Sequence, residues 1–586
     1  MIAAFFELQT CDTIPENAGT VSARETLSMN IKQILLAATL SAAASSGFAD
    51  PLAFANPFSD HAVLQRDGQT PIWGMAEPNA PILLVIKKGN DSVFEAQAKA
   101  DAQGKWIVKT KPISAGGPYS VTVASGSTGA VTISDVLFGD IWICSGQSNM
   151  EMSYGWGLTN GKEDMEKNTY ADIRLLNVPN NTSVDSLTQF KSPATWSVCT
   201  PEAAKNFSAC GYFFGVALKK ELPDVPIGLV DVTWSGTYSQ TWLSLDSLAT
   251  IPELTDAVAQ RREAIVKWKA GGAEKFEKDL AEWESKRDPL SVAAIKPSAL
   301  NFDDSAWTKV TLPITFENHI KKGFDGIVWY RLHVKLTAEQ ATAEAKIALG
   351  KIDDQDKTYV NGVEVGATDI WSAVREYAIP AGVLKAGDNL VSVCVTDNGM
   401  AGGFYDKPEA LALKVGANSI SLATEWVYAA STPVGMSKPT NLSTPDANSF
   451  SACYNAMFEP LFPLAVKGAI WYQGCSNVGG ADQYFKLFQA MAADWRAHLS
   501  GGDFPIYLVQ LASFQQTHEE PVESAWAQMR WIMMQLGETV KNCGAAVTID
   551  KGHHTDIHPK DKKTVGERLA RLALHRTYGR QDIVEA

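Results

Sequence analysis

No run of lysine or arginine occurs anywhere in the 586 residues, and 65 acidic against 51 basic side chains leave a formal charge of −14. A nucleic-acid groove needs a basic face to neutralise phosphates, so no nucleic-acid partner is expected, and a neutral or sugar-like ligand suits this chain better. Apart from one stretch near the N-terminus, no segment is long and apolar enough to span a bilayer. Cysteine is scarce as well, with eight in the chain. Removal of a leader carrying Cys11 leaves an odd number, which rules out complete internal pairing. Cys199 and Cys210, near each other in sequence, make the expected disulfide pair. Cys144, Cys394 and Cys543 lie in apolar strand-like runs and are expected in cores.

The N-terminal exception covers residues 29–44, where Lys32 is followed by an apolar core that closes at Gly47-Phe48-Ala49 with small residues suited to signal-peptidase cleavage. Residues 1–49 thus read as an upstream segment and a signal peptide, which predicts a periplasmic or secreted protein. Glu7, Asp12, Glu16 and Glu25 make a poor start to a signal and point to Met29 as the initiator. The remaining chain, with 45% apolar content overall, can bury several cores, and two to four domains are expected. Seventeen tryptophans are many; filling of β-sandwich cores accounts for most, and carbohydrate stacking for the rest.

From 50 to 135, short β-like runs such as Ile82-Leu83-Leu84-Val85-Ile86 alternate with glycine turns, which predicts an N-terminal β-sandwich. From 136 to 295, strand and helix alternate: an apolar strand ending at Ile143, a helix over 209–220 and a strand over 227–232 predict a parallel α/β sheet. Between Leu254 and Arg287, apolar positions at three- and four-residue multiples predict two amphipathic helices broken at Gly271-Gly272. Residues 296–415 return to β patterning. There Tyr330, Leu332, Val334 and Leu336 alternate with Arg331, His333 and Lys335, and Asn361-Gly362 forms a hairpin turn. The α/β pattern resumes over 416–586, with strands at 467–472, 504–510 and 545–550. Residues 296–415 are therefore an insertion, tolerated when its ends meet on a surface loop.

Directly after the strand ending at Ile143, Gly146-Gln147-Ser148-Asn149 sets a serine in a small polar turn. A serine hydroxyl is a poor nucleophile alone; it needs a turn that exposes its oxygen, backbone N–H groups to hold an oxyanion, and a base. Asp556-Ile557-His558-Pro559 offers a carboxylate and an imidazole just before a helical run over 564–574. Asp550 and His553 offer a second pair ahead of the same helix. His554 and His558 stand at a zinc-like interval, but a zinc-protease helix carries its base within it and Pro559 makes this segment a loop, so no metal is expected.

These two segments, with Trp234-Ser235-Gly236-Thr237 and Trp471-Tyr472-Gln473-Gly474-Cys475-Ser476-Asn477 between them, resemble the SGNH hydrolases, specifically the carbohydrate O-acetylesterases related to sialate O-acetylesterase. The likeness covers roughly 136–250 and 430–575. It implies an α/β fold, an SGNH (flavodoxin-like) three-layer α/β/α hydrolase domain, and an enzyme that needs no cofactor and removes acetyl groups from an acetylated sugar or polysaccharide, sialic acid or plant polymer. Residues 296–415 are similar to the galactose-binding-like jelly rolls attached to many glycosidases. Relatives usually read Gln-Gly-Glu where this chain has Gln473-Gly474-Cys475. Asp556-Ile557-His558 is one residue shorter than the Asp-x-x-His of many SGNH enzymes and matches the sialate esterase branch.

By this resemblance Ser148 attacks the acetyl carbonyl, His558 takes its proton and Asp556 holds the imidazole. His558 is preferred to His553 because Pro559 and the helix follow it as in that branch. The oxyanion donors are then the Ser148 N–H, the Gly236 N–H, where close backbone donation tolerates little side chain, and the amide of Gln473, with Asn477 as the alternative. Another SGNH activity, such as a lipase or thioesterase, explains the serine blocks and the leader alone. A catalytically inactive carbohydrate-binding protein would be favoured had Ser148 or His558 been replaced, and neither is.

Overall fold

The computed structural model describes residues 52–126, 129–399, 401–439 and 441–585. The leader read at 29–49 and the choice of Met29 lie outside the described residues. The chain forms two compact units, one reaching Glu263 and resuming at Thr444, the other Ala264–Ser443. The second is wider than the 296–415 read from β patterning, because it also takes in the helix Ala273–Lys286 and the strand Glu425–Ala430.

The first unit is built on a mostly parallel sheet in the order Trp196–Cys199, Tyr170–Asn177, Ile227–Thr233, Ala130–Gly146, Gly468–Tyr472, Ile506–Val509 and Cys543–Ala546. Only the first of these runs antiparallel to its neighbour. Helices cover both faces. Ile141 and Ile143 enter the core shared with Ala481–His498 and Ala525–Thr539, whereas Trp142 and Cys144 enter the one shared with Ala209–Glu221 and Lys562–Arg576. A strand buried on both faces has no reason to alternate, which is why Ile141-Trp142-Ile143-Cys144 reads as an unbroken apolar run.

Strand Ala130–Gly146 is 17 residues long. Its first half pairs antiparallel with Gly116–Ala124, and its second half lies parallel to Ile227–Thr233 and Gly468–Tyr472. The boundary read at 135/136 therefore falls inside one continuous strand. Ahead of it stand two antiparallel layers: Ala53–Phe54, Pro71–Met75 and Lys105–Lys109 in one, Pro81–Lys88, Asp91–Lys99 and Gly116–Ala124 in the other. They close on Ile72, Trp106, Leu84, Ile86 and Val121.

Helix Thr255–Lys267, within which the second unit begins, and helix Ala273–Lys286 are divided by a turn in which Ala270 and Gly271 leave helical geometry, as the glycine pair predicts. Antiparallel sheets of six and five strands follow, enclosing Tyr330, Val334, Ile347, Val393 and Leu413. Arg331, which alternation assigns to the outer face, is instead 1% exposed because the segment 297–304 covers it. Its Nε donates to Asp304 at 2.7 Å and its Nη1 to the Ala299 carbonyl at 3.0 Å.

All seven described cysteines are free thiols. Cys199 and Cys210, expected as a disulfide, are each buried, and burial pushes both thiols up to about 12. Among the described residues no helix is long and apolar enough to cross a membrane.

Candidate active site

The strand Ala130–Gly146 delivers Ser148 to the carboxyl end of the sheet. Gly146 makes the exit possible: its φ is +140°, and a Cβ there would lie 2.3 Å from the Tyr472 carbonyl oxygen on the neighbouring strand. Gln147 then caps a single helical turn, Ser148–Glu151, so the Ser148 N–H belongs to the first turn, where amides have no partner within the helix. The Gln147 side chain fastens this turn to the next loop by accepting from the Gly474 N–H at 2.9 Å and donating to Ser476 Oγ at 3.1 Å.

His558 comes from the loop ahead of helix Lys562–Arg576, and its Nε2 lies 2.9 Å from Ser148 Oγ. With the imidazole proton on Nδ1, Nε2 accepts from the serine hydroxyl, the arrangement general-base catalysis requires. Burial draws the imidazole below its ordinary value, helped by the Lys562 and Lys560 ammoniums and opposed by Asp556. The Asp556 carboxylate meets His558 differently from a conventional triad. Its Oδ1 stands 3.7 Å from His558 Nδ1, too far for a hydrogen bond, and accepts the His558 backbone N–H at 2.9 Å. Its Oδ2 lies 3.3 Å from Lys560. Burial pushes the Asp556 carboxyl up, but the His558 N–H and Lys560 outweigh it, so the group lies below the usual carboxylate range.

The rival pair is engaged elsewhere. Asp550 is held by both nitrogens of the Arg568 fork, at 2.6 and 2.7 Å, and this pairing draws its carboxyl down to about 2. His553 bonds Thr555 and stacks on His554.

Gly236 sits in the turn after strand Ile227–Thr233 with φ +72°, and nothing lies within 4 Å of where its Cβ would be. The glycine is required by its left-handed backbone, not by crowding. The turn is latched to the helix that starts at Ser148, since Ser235 Oγ donates to Glu151 Oε2, and Trp234 N–H donates to the Gly146 carbonyl at 3.2 Å. Gln473 is a correction to the expected oxyanion set. Its Nε2 donates to the Thr237 carbonyl at 3.1 Å and to Asn477 Oδ1 at 2.7 Å, so both amide protons are committed to bracing the loop. The alternative, Asn477, donates to Gln240 and accepts from the Ser239 N–H.

Several neighbours were not anticipated from sequence. Asn149 Nδ2 donates to the Ile557 carbonyl at 3.1 Å, and its Oδ1 accepts from the Nζ of fully buried Lys562 at 2.5 Å. Trp156 sets its ring against His558 edge to face, centroids 5.8 Å apart, and remains 42% exposed. Tyr238, two residues past Gly236, is also exposed. The polar positions Gln147, Asn149 and Glu151, alternating about Ser148, were a usable signal for the first of these contacts; a lysine at a helix start gives none.

Residues 138–290 and 445–575 match the family model described as carbohydrate esterase, sialic acid-specific acetylesterase. Residues 267–407 match the glycosyl hydrolases family 2 sugar binding domain. Over 231 residues the chain is 32% identical to a sialate O-acetylesterase of Mus musculus, covering 37% of this chain and 41% of that protein. Over 206 residues it is 30% identical to one of Homo sapiens, covering 33% and 39%. The chain thus matches about two fifths of the length of these curated relatives. In fold it is similar to the crystal structure of a carbohydrate acetylesterase from Xanthomonas citri, with a TM-score of 0.53 and 24% identity over 90% of this chain and 75% of that one. Residues 138–290 and 445–575 are thus similar to the carbohydrate esterase family of sialic acid-specific acetylesterases.

Proposed function

We propose that this protein is a carbohydrate O-acetylesterase that works through an acetyl-enzyme on Ser148, and that it is exported by the leader at 29–49. The observation that carries the reading is the 2.9 Å contact between Ser148 Oγ and His558 Nε2 beside a first-turn N–H and the Gly236 turn. In this reading the first unit is an SGNH three-layer hydrolase domain preceded by a β-sandwich, and the second is an inserted jelly roll.

Ser148 Oγ adds to the acetyl carbonyl as its proton passes to His558 Nε2. The oxyanion is held by the Ser148 and Gly236 backbone N–H groups. Collapse expels the sugar oxygen, which takes the proton from His558. A water then attacks the acetyl-serine, gives its proton to His558, and acetate leaves as Ser148 recovers the proton. Asp556 steadies the loop through the His558 backbone and stabilises the imidazolium by charge alone. The exposed ring of Trp156, set against His558, supplies an apolar face suited to a pyranose. The test is rapid quenching of the protein with 4-nitrophenyl acetate followed by intact-mass analysis and peptide mapping. An acetyl group on Ser148 is expected; acetate release with no adduct, or an adduct elsewhere, rejects the mechanism.

A further inference from the structure

We propose that Lys562 is a positioning residue for this reaction: its ammonium, acting through the Asn149 side chain, fixes the nucleophile's helix to the backbone of the His558 loop. The proposal rests on the reading of Ser148 and His558 as the acyl-transfer pair.

Lys562 is fully buried at the first position of helix Lys562–Arg576. Two costs attach to that place, since burying an ammonium is unfavourable and a cation at a helix start opposes the helix dipole. An apolar side chain would fill the space without either. Nor does an ion pair offset them. Among the described residues the nearby acids face other cations, Asp556 toward Lys560 and Asp561 toward Lys551. What Lys562 does contact is Asn149 Oδ1 at 2.5 Å and the face of the Tyr472 ring, whose centroid is 4.8 Å from Nζ.

The Asn149 amide explains the placement. Its Nδ2 donates to the carbonyl of Ile557 at 3.1 Å and points to Cys475 Sγ at 3.7 Å. Asn149 follows Ser148 and Ile557 precedes His558, so the link Lys562–Asn149–Ile557 runs alongside the reacting pair. Lysine can only donate and a carbonyl can only accept, so the two partners together permit one orientation of the amide. Remove the lysine and Asn149, 2% exposed, keeps an acceptor with no donor.

The charge has a second consequence for His558. The groups around Lys562 are Cys210, Cys475, Tyr472, Asp556 and Lys560, and those acting on His558 are Lys562, Asp556 and Lys560. Burial draws the Lys562 ammonium down to about 7, and its charge in turn lowers the imidazole.

The experiment is steady-state kinetics on 4-nitrophenyl acetate with the full chain as wild type, Lys562→Met, Asn149→Ala, the double variant and Ser148→Ala, each checked for native circular dichroism. Both single variants are expected to lower kcat about 10- to 100-fold with KM nearly unchanged, as small misplacements of reacting groups do. The double variant is expected to lose no more than the worse single one. Lys562→Met should also move the acid limb of kcat/KM upward, which a lysine that only fills space would not do. Wild-type kcat in either folded single variant, fully additive losses, or an unmoved acid limb overturns the proposal. If Lys562→Met does not fold, Asn149→Ala decides alone. Failure of the esterase reading itself is separate, and shows as equal rates for wild type and Ser148→Ala.

Discussion

Glu151, one helical turn after Ser148, accepts a hydrogen bond from Ser235, the residue before Gly236. Its other oxygen accepts from Asn180 Nδ2 at 3.1 Å. One carboxylate on the Ser148 helix thereby holds the turn whose N–H is proposed to receive the oxyanion. Because preorganised donors contribute only when held in place, Glu151→Ala should lower kcat on 4-nitrophenyl acetate about 10- to 100-fold with the fold intact. An unchanged kcat would remove Glu151 from the account.

The two candidate bases separate cleanly in mutagenesis. Ser148→Ala and His558→Ala should each lower turnover by about four to six orders of magnitude, as removal of a nucleophile or base in such a unit does. His553→Ala should keep most activity, since its ring bonds Thr555. The reverse ranking would move the base to His553.

The pH profile follows from the sign of the His558 shift. A base must be unprotonated to accept the serine proton, and activity is lost as pH falls through its pKa. Burial and two neighbouring ammoniums hold that value below the ordinary imidazole value of 6.5. The acid limb of kcat/KM should therefore have its midpoint below 6.5, read on a substrate that does not titrate. A midpoint above it would require a stronger partner for His558 than the 3.7 Å contact to Asp556 supplies.

Trp156 offers a test of the sugar-facing side of the site. If its exposed face stacks on a pyranose, Trp156→Ala should raise KM for an acetylated sugar roughly three- to tenfold and leave 4-nitrophenyl acetate almost unaffected. Equal effects on both substrates would assign the ring to supporting His558.

Legibility in the sequence followed the physics of each feature. The apolar run ending at Cys144 and the polar turn after it disclosed the parallel strand and Ser148, since burial on both faces and an abrupt turn each leave a local mark. The break at Gly271-Gly272 was equally local. What escaped depends on contacts distant in sequence. Gln473 looks like a free loop amide until Thr237 and Asn477 are seen to take its protons. Lys562 looks like a solvated helix start until Asn149 is seen to accept from its ammonium. Arg331 looks outward until the segment 297–304 folds across it. The division at 135/136 failed because one strand serves both an antiparallel and a parallel neighbour, and patterning carries no record of partners.

Acetate released from a panel of acetylated sialosides, xylans, xyloglucans and pectins, measured for the wild type and Ser148→Ala side by side, tests the central claim most directly. The account predicts release from at least one of these carbohydrates by the wild type and none above background by the variant. Release from none of them by the wild type, or equal release by both proteins, would contradict it.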